Sequence, residues 1–110
     1  MDARIEKLIK SFENNGWKSM GSIDITQDWW FEDIIMLQSV WSPIGKQIYL
    51  TLLIDPMDSK RKIVWCVSIS LSLPDQENLN WIKQITLNDI KRTDLEGFVK
   101  QINKIVLEEK

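Results

Sequence analysis

Carboxylates are the side chains of this sequence best suited to act as acids, bases or cation ligands, because the chain contains no histidine. Histidine is the commonest general base and metal ligand, so Ser-His-Asp, Cys-His and histidine-zinc arrangements are excluded. Six of the 16 acidic residues lie around two predicted turns, namely Asp24, Asp28, Glu32, Asp33, Asp55 and Asp58. Glycosidase chemistry needs two carboxylates about 5–10 Å apart across a cleft, a distance that sequence spacing does not supply. Acidic residues beside turns are usually exposed, so we favour a structural role over catalysis or Ca²⁺ binding.

Asp33 has a different position from the other carboxylates. It interrupts an apolar face of a predicted strand and points opposite to Glu32. A buried carboxylate must find a partner or shift its pKa. Asp33 is therefore a candidate binding residue.

Thiols and glycine-rich loops give no further chemistry. Cys66 is the single cysteine, so neither an intrachain disulfide nor a structural zinc site is expected. Its place in the middle of a predicted strand, without an adjacent cation, favours an inert thiol. The four glycines are scattered and match no nucleotide-binding motif. We expect no metal and no cofactor.

Length and charge restrict the class of protein. A chain of 110 residues fits one α+β domain over residues 1–110. Its net charge of −2 gives no attraction to a phosphate backbone, so no nucleic-acid partner is expected. Charges throughout the first 15 residues argue against a signal peptide, and no apolar run is long enough to span a membrane. Together with the unpaired cysteine, these features predict a cytoplasmic protein without membrane association.

The hydrophobic pattern predicts a helix, four to five antiparallel strands and a second helix, with both helices on one face of the sheet. The first helix has apolar residues at i, i+3, i+4 and i+7 and stops at Asn14-Asn15-Gly16. Strands are predicted over 17–25, 28–41, 47–54 and 63–73, with a fifth at 81–88 for which a helical turn is the alternative. A capping box at Thr93 and Glu96 predicts the start of the last helix.

The strand predicted over 28–41 is apolar on both of its alternating faces. The pattern of this strand does not choose which face is the core. We assign to the helix-covered core the face that carries Trp29, Phe31, Ile35, Leu37 and Trp41. The other face must find different cover, and it carries Trp30, Ile34, Met36 and Val40.

The strand predicted over 63–73 distinguishes its faces more clearly. Its core set is Ile63, Trp65, Val67, Ile69, Leu71 and Leu73. The opposite face carries Ser68, Ser70 and Ser72, so this side of the sheet is expected to be less buried.

The favoured function is a non-enzymatic, protein-binding or self-associating module that uses the open sheet face. Its candidate binding residues are Trp30, Met36, Tyr49, Ser68, Ser70 and Asp33. A homodimer would cover Trp30, Met36 and Tyr49, and a bacterial immunity-type inhibitor of a basic toxin is a more specific version by analogy. The alternative is a small-molecule-binding or carboxylate-dependent enzymatic pocket between sheet and helices, which predicts a closed cavity containing Asp33 and Glu32.

Overall fold

The N-terminal helix α1 (Ala3–Glu13) begins at Asp2, whose side chain accepts a hydrogen bond from the Arg4 amide. This computed structural model describes residues 2–23, 31–41, 45–55, 57, 63–74 and 81–108. The apolar stripe of α1 is buried against the sheet through Ile5, Leu8 and Phe12. After α1 the chain turns at Gly16, whose φ of 92° is a left-handed conformation that favours glycine.

Within the described residues, five strands form one antiparallel sheet in which each strand pairs with its neighbour in sequence. They are β1 (Trp17–Ser22), β2 (Phe31–Ser39), β3 (Gln47–Ile54), β4 (Val64–Ser70) and β5 (Trp81–Thr86). The predicted pairing of the second and third strands is confirmed, and so is the fifth strand. This meander is the surface on which the helices pack.

The chain ends in α2 (Leu87–Ile90), a single turn capped by Thr86, and α3 (Leu95–Glu108). Val99, Ile102 and Val106 of α3 are buried in the same core as the stripe of α1. The predicted α+β fold with terminal helices on one sheet face is thus confirmed, whereas residues 87–88 of the predicted fifth strand belong to the helical turn α2. None of the described helices is long and apolar enough to cross a membrane.

The two faces of β2 divide as the alternation predicted. Ile35, Leu37 and Trp41 belong to the helix-covered core, whereas Ile34 belongs to a smaller cluster on the second face with Leu53 and Cys66. Trp29 and Trp30 lie outside the described residues. Val40, at the far end of this strand, is exposed.

The serine-bearing face of β4 is buried, which corrects the expectation that it is open. Ser68 and Ser70 have no exposed surface, whereas Ser72, beyond the end of β4, is exposed as predicted. The small apolar cluster beside them is flanked by Ile23, Tyr49 and Trp81, so small side chains between larger ones are shielded from water. Their burial is compatible with stability because the Ser68 hydroxyl accepts from Gln84 Nε2 and the Ser70 hydroxyl donates to the Ser72 carbonyl, both over 2.8 Å.

Trp65 is 43% exposed, although the alternation placed it in the core. Ile63 and Leu73 are each 45% exposed, so the fully buried part of that predicted core set in β4 is Val67 and Ile69. The register explains the difference at Trp65. Val64 lies opposite Ile54 and Cys66 lies opposite Leu53, which leaves Trp65 as an extra residue in a bulge.

Three aromatic rings meet where α1 joins the sheet. Trp17 is 2% exposed and contacts Phe12 and Trp41 edge to face, at ring-centroid distances of 6.3 and 5.6 Å. Its indole Nε1 donates to Asn103 Oδ1 of α3 over 2.6 Å. This aromatic corner connects α1, the β1–β2 pair and α3.

Replacing Gly16 by alanine is expected to destabilise the protein more than replacing Gly21. Both glycines have positive φ, 92° and 88°, so both substitutions strain the backbone. An added Cβ at Gly16 would lie 2.5 Å from Trp41 Cδ1, whereas at Gly21 nothing lies within 4 Å. The extra loss at Gly16 should be about 1–3 kcal/mol, as for other overpacked sites. Urea unfolding followed by circular dichroism measures both variants, and equal losses would contradict tight packing at the aromatic corner.

Candidate functional site

Two bulges lie at the same end of the sheet. The pairing of β2 with β3 shifts between Phe31 and Asp33, and the pairing of β3 with β4 shifts at Trp65. The start of β2, the end of β3 and the start of β4 are neighbours because the strands are antiparallel. Bulges bend a strand, increase its twist and are frequent beside functional sites. We refer to this region as the bulged end.

A groove of about 490 Å³ lies between the bulged end and the first turns of α1 and α2. Its apolar surface includes Leu52, Ile63 and Val64, and its charged groups are Asp2, Arg4, Glu32 and Asp33. The volume is within the range of small-molecule sites, about 300–1,000 Å³. The groove is open to solvent, so it is not the closed cavity that the pocket hypothesis predicted.

Asp33 is held by hydrogen bonds on both of its oxygens. Oδ2 accepts from the Ser22 hydroxyl over 2.7 Å, and Oδ1 accepts from the Ile34 amide over 2.8 Å. The half-buried carboxylate has thus found the partners that its position demanded. These bonds join the end of β1 to the β2 bulge, so Asp33 has a structural role at the edge of the groove. The side chain of Glu32, its neighbour, is exposed.

The charge of Arg4 is compensated within the groove. Its Nη2 lies 2.9 Å from Asp2 Oδ2, and its Nε donates to Asp2 Oδ1 over 3.1 Å. The hydrogen bonds from Arg4, supported by the charge of Lys91, lower the pKa of Asp2 to about 2. Within the described part of the chain, neither Glu32 nor Asp33 forms an ion pair. Among the described lining residues, the carboxylates at the β2 bulge are therefore not neutralised by a cation.

Four of the predicted site residues lie together on the second sheet face. Met36 pairs with Tyr49, Tyr49 pairs with Ser70, and Ser68 lies in the next row. Tyr49 and Met36 are half-buried, and the Tyr49 hydroxyl donates to Gln47 Oε1 over 3.2 Å. Asp33 is separate from this group and lines the groove. Trp30 falls outside the described residues.

Cys66 lies beneath the same face and is 3% exposed. Burial raises the pKa of its thiol, and the Ser68 hydroxyl 3.9 Å away opposes this effect only in part. The thiolate is the nucleophilic form of cysteine, so this environment suppresses reactivity. Among the residues described, no three acidic or cysteine side chains gather as a metal site.

The sequence interpretation did not identify Arg4, Ile63 or Val64 as groove residues. Arg4 belongs to the polar side of an amphipathic helix, where charge is ordinary. Arg4 is two residues from the helix cap Asp2, and this spacing was the feature of the sequence that could have indicated the ion pair. The position of Ile63 depends on the β3–β4 bulge, and the alternation of apolar and polar residues in the sequence does not indicate that bulge.

Comparison of the chain with protein-family models, with curated proteins and with solved structures gave no match.

Replacing Asp33 by alanine is expected to lower the free energy of unfolding by about 1–2 kcal/mol, because two hydrogen bonds to a carboxylate are lost. The matched control is Glu32→Ala, which removes an exposed carboxylate from the adjacent position and should change stability by less than about 0.5 kcal/mol. Urea unfolding of the two variants at neutral pH makes the comparison. An Asp33→Ala protein as stable as the Glu32→Ala control would contradict the structural role of these bonds.

The ion pair of Asp2 predicts a stability loss in acid. The folded pKa of about 2 lies below the ordinary value of 3.8, so the carboxylate stabilises the fold above about pH 4. That contribution disappears as the pH falls from about 4 to about 2. Asp2→Asn keeps a capping side chain and removes the charge, and it should cost less than about 1 kcal/mol at pH 7 because the pair is partly exposed. Unfolding at several pH values should show the two proteins converging near pH 2, and a constant difference would contradict this account.

Proposed function

We propose that this protein is a non-enzymatic protein-binding module and that the groove at the bulged end is its binding surface. The observation that carries the proposal is the exposure of two large apolar side chains at the bulged end. Ile63, in the groove, is 45% exposed, and Trp65, at the β3–β4 bulge, is 43% exposed. Ile63 lines the groove, and Trp65 follows the groove residue Val64. Exposed apolar side chains beside a concave surface are typical of interaction sites, and tryptophan is enriched among residues that dominate binding energy.

The charge of the groove favours a basic partner. Arg4 is compensated by Asp2, whereas Glu32 and Asp33 have no cationic partner among the described residues. A lysine or arginine next to an apolar residue would pair with Glu32 and cover the apolar surface of the groove. The occupant we propose is therefore a protein segment of that composition, which fits an immunity-type inhibitor of a basic protein and does not require nucleic acid. The free thiol of Cys66 supports a cytoplasmic setting.

The second sheet face is a less suitable surface than the sequence suggested. Ser68 and Ser70 are fully buried, so their hydroxyls offer nothing to a partner approaching a folded monomer. Tyr49 and Met36 are half-buried in the same region. The groove, in contrast, combines exposed apolar surface with charge.

Selection of binders from a random peptide library tests the proposed surface, because the composition of the selected peptides reports what the groove prefers. Peptides rich in lysine or arginine beside apolar residues are expected. Binding should weaken at least about tenfold with Ile63→Asp or Glu32→Lys, as for a contact worth more than about 1 kcal/mol. It should also weaken with added salt, which screens exposed charges.

The matched control is Val40→Asp, because Val40 is 67% exposed and follows the opposite end of β2. This variant should bind as the unchanged protein does, and circular dichroism verifies that all three variants are folded. Acidic selected peptides, or equal binding by the three variants, would refute the groove as a surface for basic segments. Sedimentation at high micromolar concentration tests whether the partner is a second copy of this chain. If it is, the Ile63→Asp substitution should dissociate the oligomer.

A small-molecule or carboxylate-dependent pocket at the same groove is the second candidate. It is favoured by the proximity of Glu32 and Asp33 in a groove of about 490 Å³. The engagement of both Asp33 oxygens with Ser22 and Ile34 leaves Glu32 as the freer carboxylate. Screening a metabolite library by thermal shift, with Glu32→Gln as the control, would support this candidate if a compound stabilises only the unchanged protein.

A further inference from the structure

The sequence contains one Asn-Gly pair, Asn15-Gly16, at the turn between α1 and β1. Asparagine followed by glycine is chemically the most labile asparagine context, because glycine has no side chain to hinder attack by its amide nitrogen. We propose that Asn15 is the site at which this protein deamidates and that contacts with α3 suppress the reaction in the folded state. We call the contacts among Ser11, Asn15 and Glu96 the α1–α3 latch.

The latch holds the reacting carboxamide from two directions. Asn15 Nδ2 donates to Glu96 Oε2 over 2.6 Å and to the Ser11 carbonyl over 2.8 Å. The second oxygen of Glu96 accepts from the Ser11 hydroxyl over 3.1 Å. Rotation of the carboxamide toward the backbone of Gly16 would break two bonds to Nδ2, one of them charge-assisted.

The backbone on either side of the reacting bond is also fixed. The Asn15 carbonyl accepts from Asn103 Nδ2 over 3.2 Å, and the Gly16 carbonyl accepts from the Val40 amide over 2.9 Å. Gly16 packs against the Trp41 indole, as the close approach of an added Cβ shows. Closing the five-membered ring needs movement of a segment that contacts both α3 and the sheet, so it requires local opening.

Deamidation has a balanced course. The Gly16 amide nitrogen loses its proton and attacks the Asn15 side-chain carbonyl carbon, a C–N bond forms, and the Nδ2 group leaves as ammonia. Water then opens the cyclic imide at either carbonyl and gives aspartate or isoaspartate at position 15. The latch is thereby changed, because a donor amide facing the Glu96 carboxylate becomes a second carboxylate.

Peptide mapping after incubation at mildly alkaline pH compares the reaction in folded and guanidinium-unfolded protein. The folded protein should react at least about tenfold more slowly, since reaction then depends on the small population of locally opened molecules. Glu96→Ala should accelerate the folded reaction without changing the unfolded rate. Glu108→Ala, on the exposed end of the same helix, is the matched control and should leave both rates unchanged. Equal rates in folded and unfolded protein, or no effect of Glu96→Ala, would overturn the proposal.

A charge exchange tests the consequence of the reaction. Asn15→Asp should lower the melting temperature, because two carboxylates then face each other across the latch. Adding Glu96→Gln to that variant should restore part of the loss, since the glutamine amide can donate to the new carboxylate. If Asn15→Asp alone does not fold, the double variant with Glu96→Gln should recover a folded protein. An unchanged melting temperature in Asn15→Asp, or no restoration by Glu96→Gln, would contradict the latch.

Discussion

Burial of the Trp17 indole is the interaction on which the arrangement of helices over the sheet depends. The side chain is 2% exposed, contacts Phe12 of α1 and Trp41 after β2, and donates to Asn103 of α3. Burying a tryptophan removes about 150–250 Å² from water, which corresponds to about 4–6 kcal/mol of gross stabilisation. The hydrogen bond to Asn103 avoids the penalty of an unsatisfied indole N–H. One residue thus relates α1, the sheet and α3 to one another.

As a result, the side chains at the two ends of the sheet pack differently. At the aromatic corner, side chains from three elements interlock, and the neighbouring α1–α3 latch adds polar contacts around Glu96. At the bulged end, extra residues interrupt both the β2–β3 and β3–β4 pairings. Regular pairing would continue the alternation of buried and exposed side chains, whereas a bulge redirects it. The exposed Trp65 and the charged edge at Glu32 both follow from these irregularities.

Much of this fold was readable in the sequence because alternation reports strand faces wherever pairing is regular. Ile35 and Ile34 were assigned to opposite faces and lie there. The same rule misplaced Trp65, since a bulge inserts one residue and nothing local in the sequence indicates it. The Ser68 face was expected to be open, but its burial is set by large neighbours on other strands and by Gln84.

Less of the site than of the fold could be predicted from the sequence, because its contacts join segments that are distant in the chain. Asp33 was recognised as a carboxylate in need of partners, yet Ser22 became one of them only through the β1–β2 pairing. Glu96 was interpreted as part of a helix cap, but its oxygens accept from Ser11 and Asn15 of the other helix region. Exposed groove residues such as Ile63 gain little from folding, because their surface is only partly removed from water. Covering that surface with a partner would remove the rest of it from water, so substitutions at exposed groove residues such as Ile63 can separate binding from stability, whereas substitutions at the aromatic corner cannot.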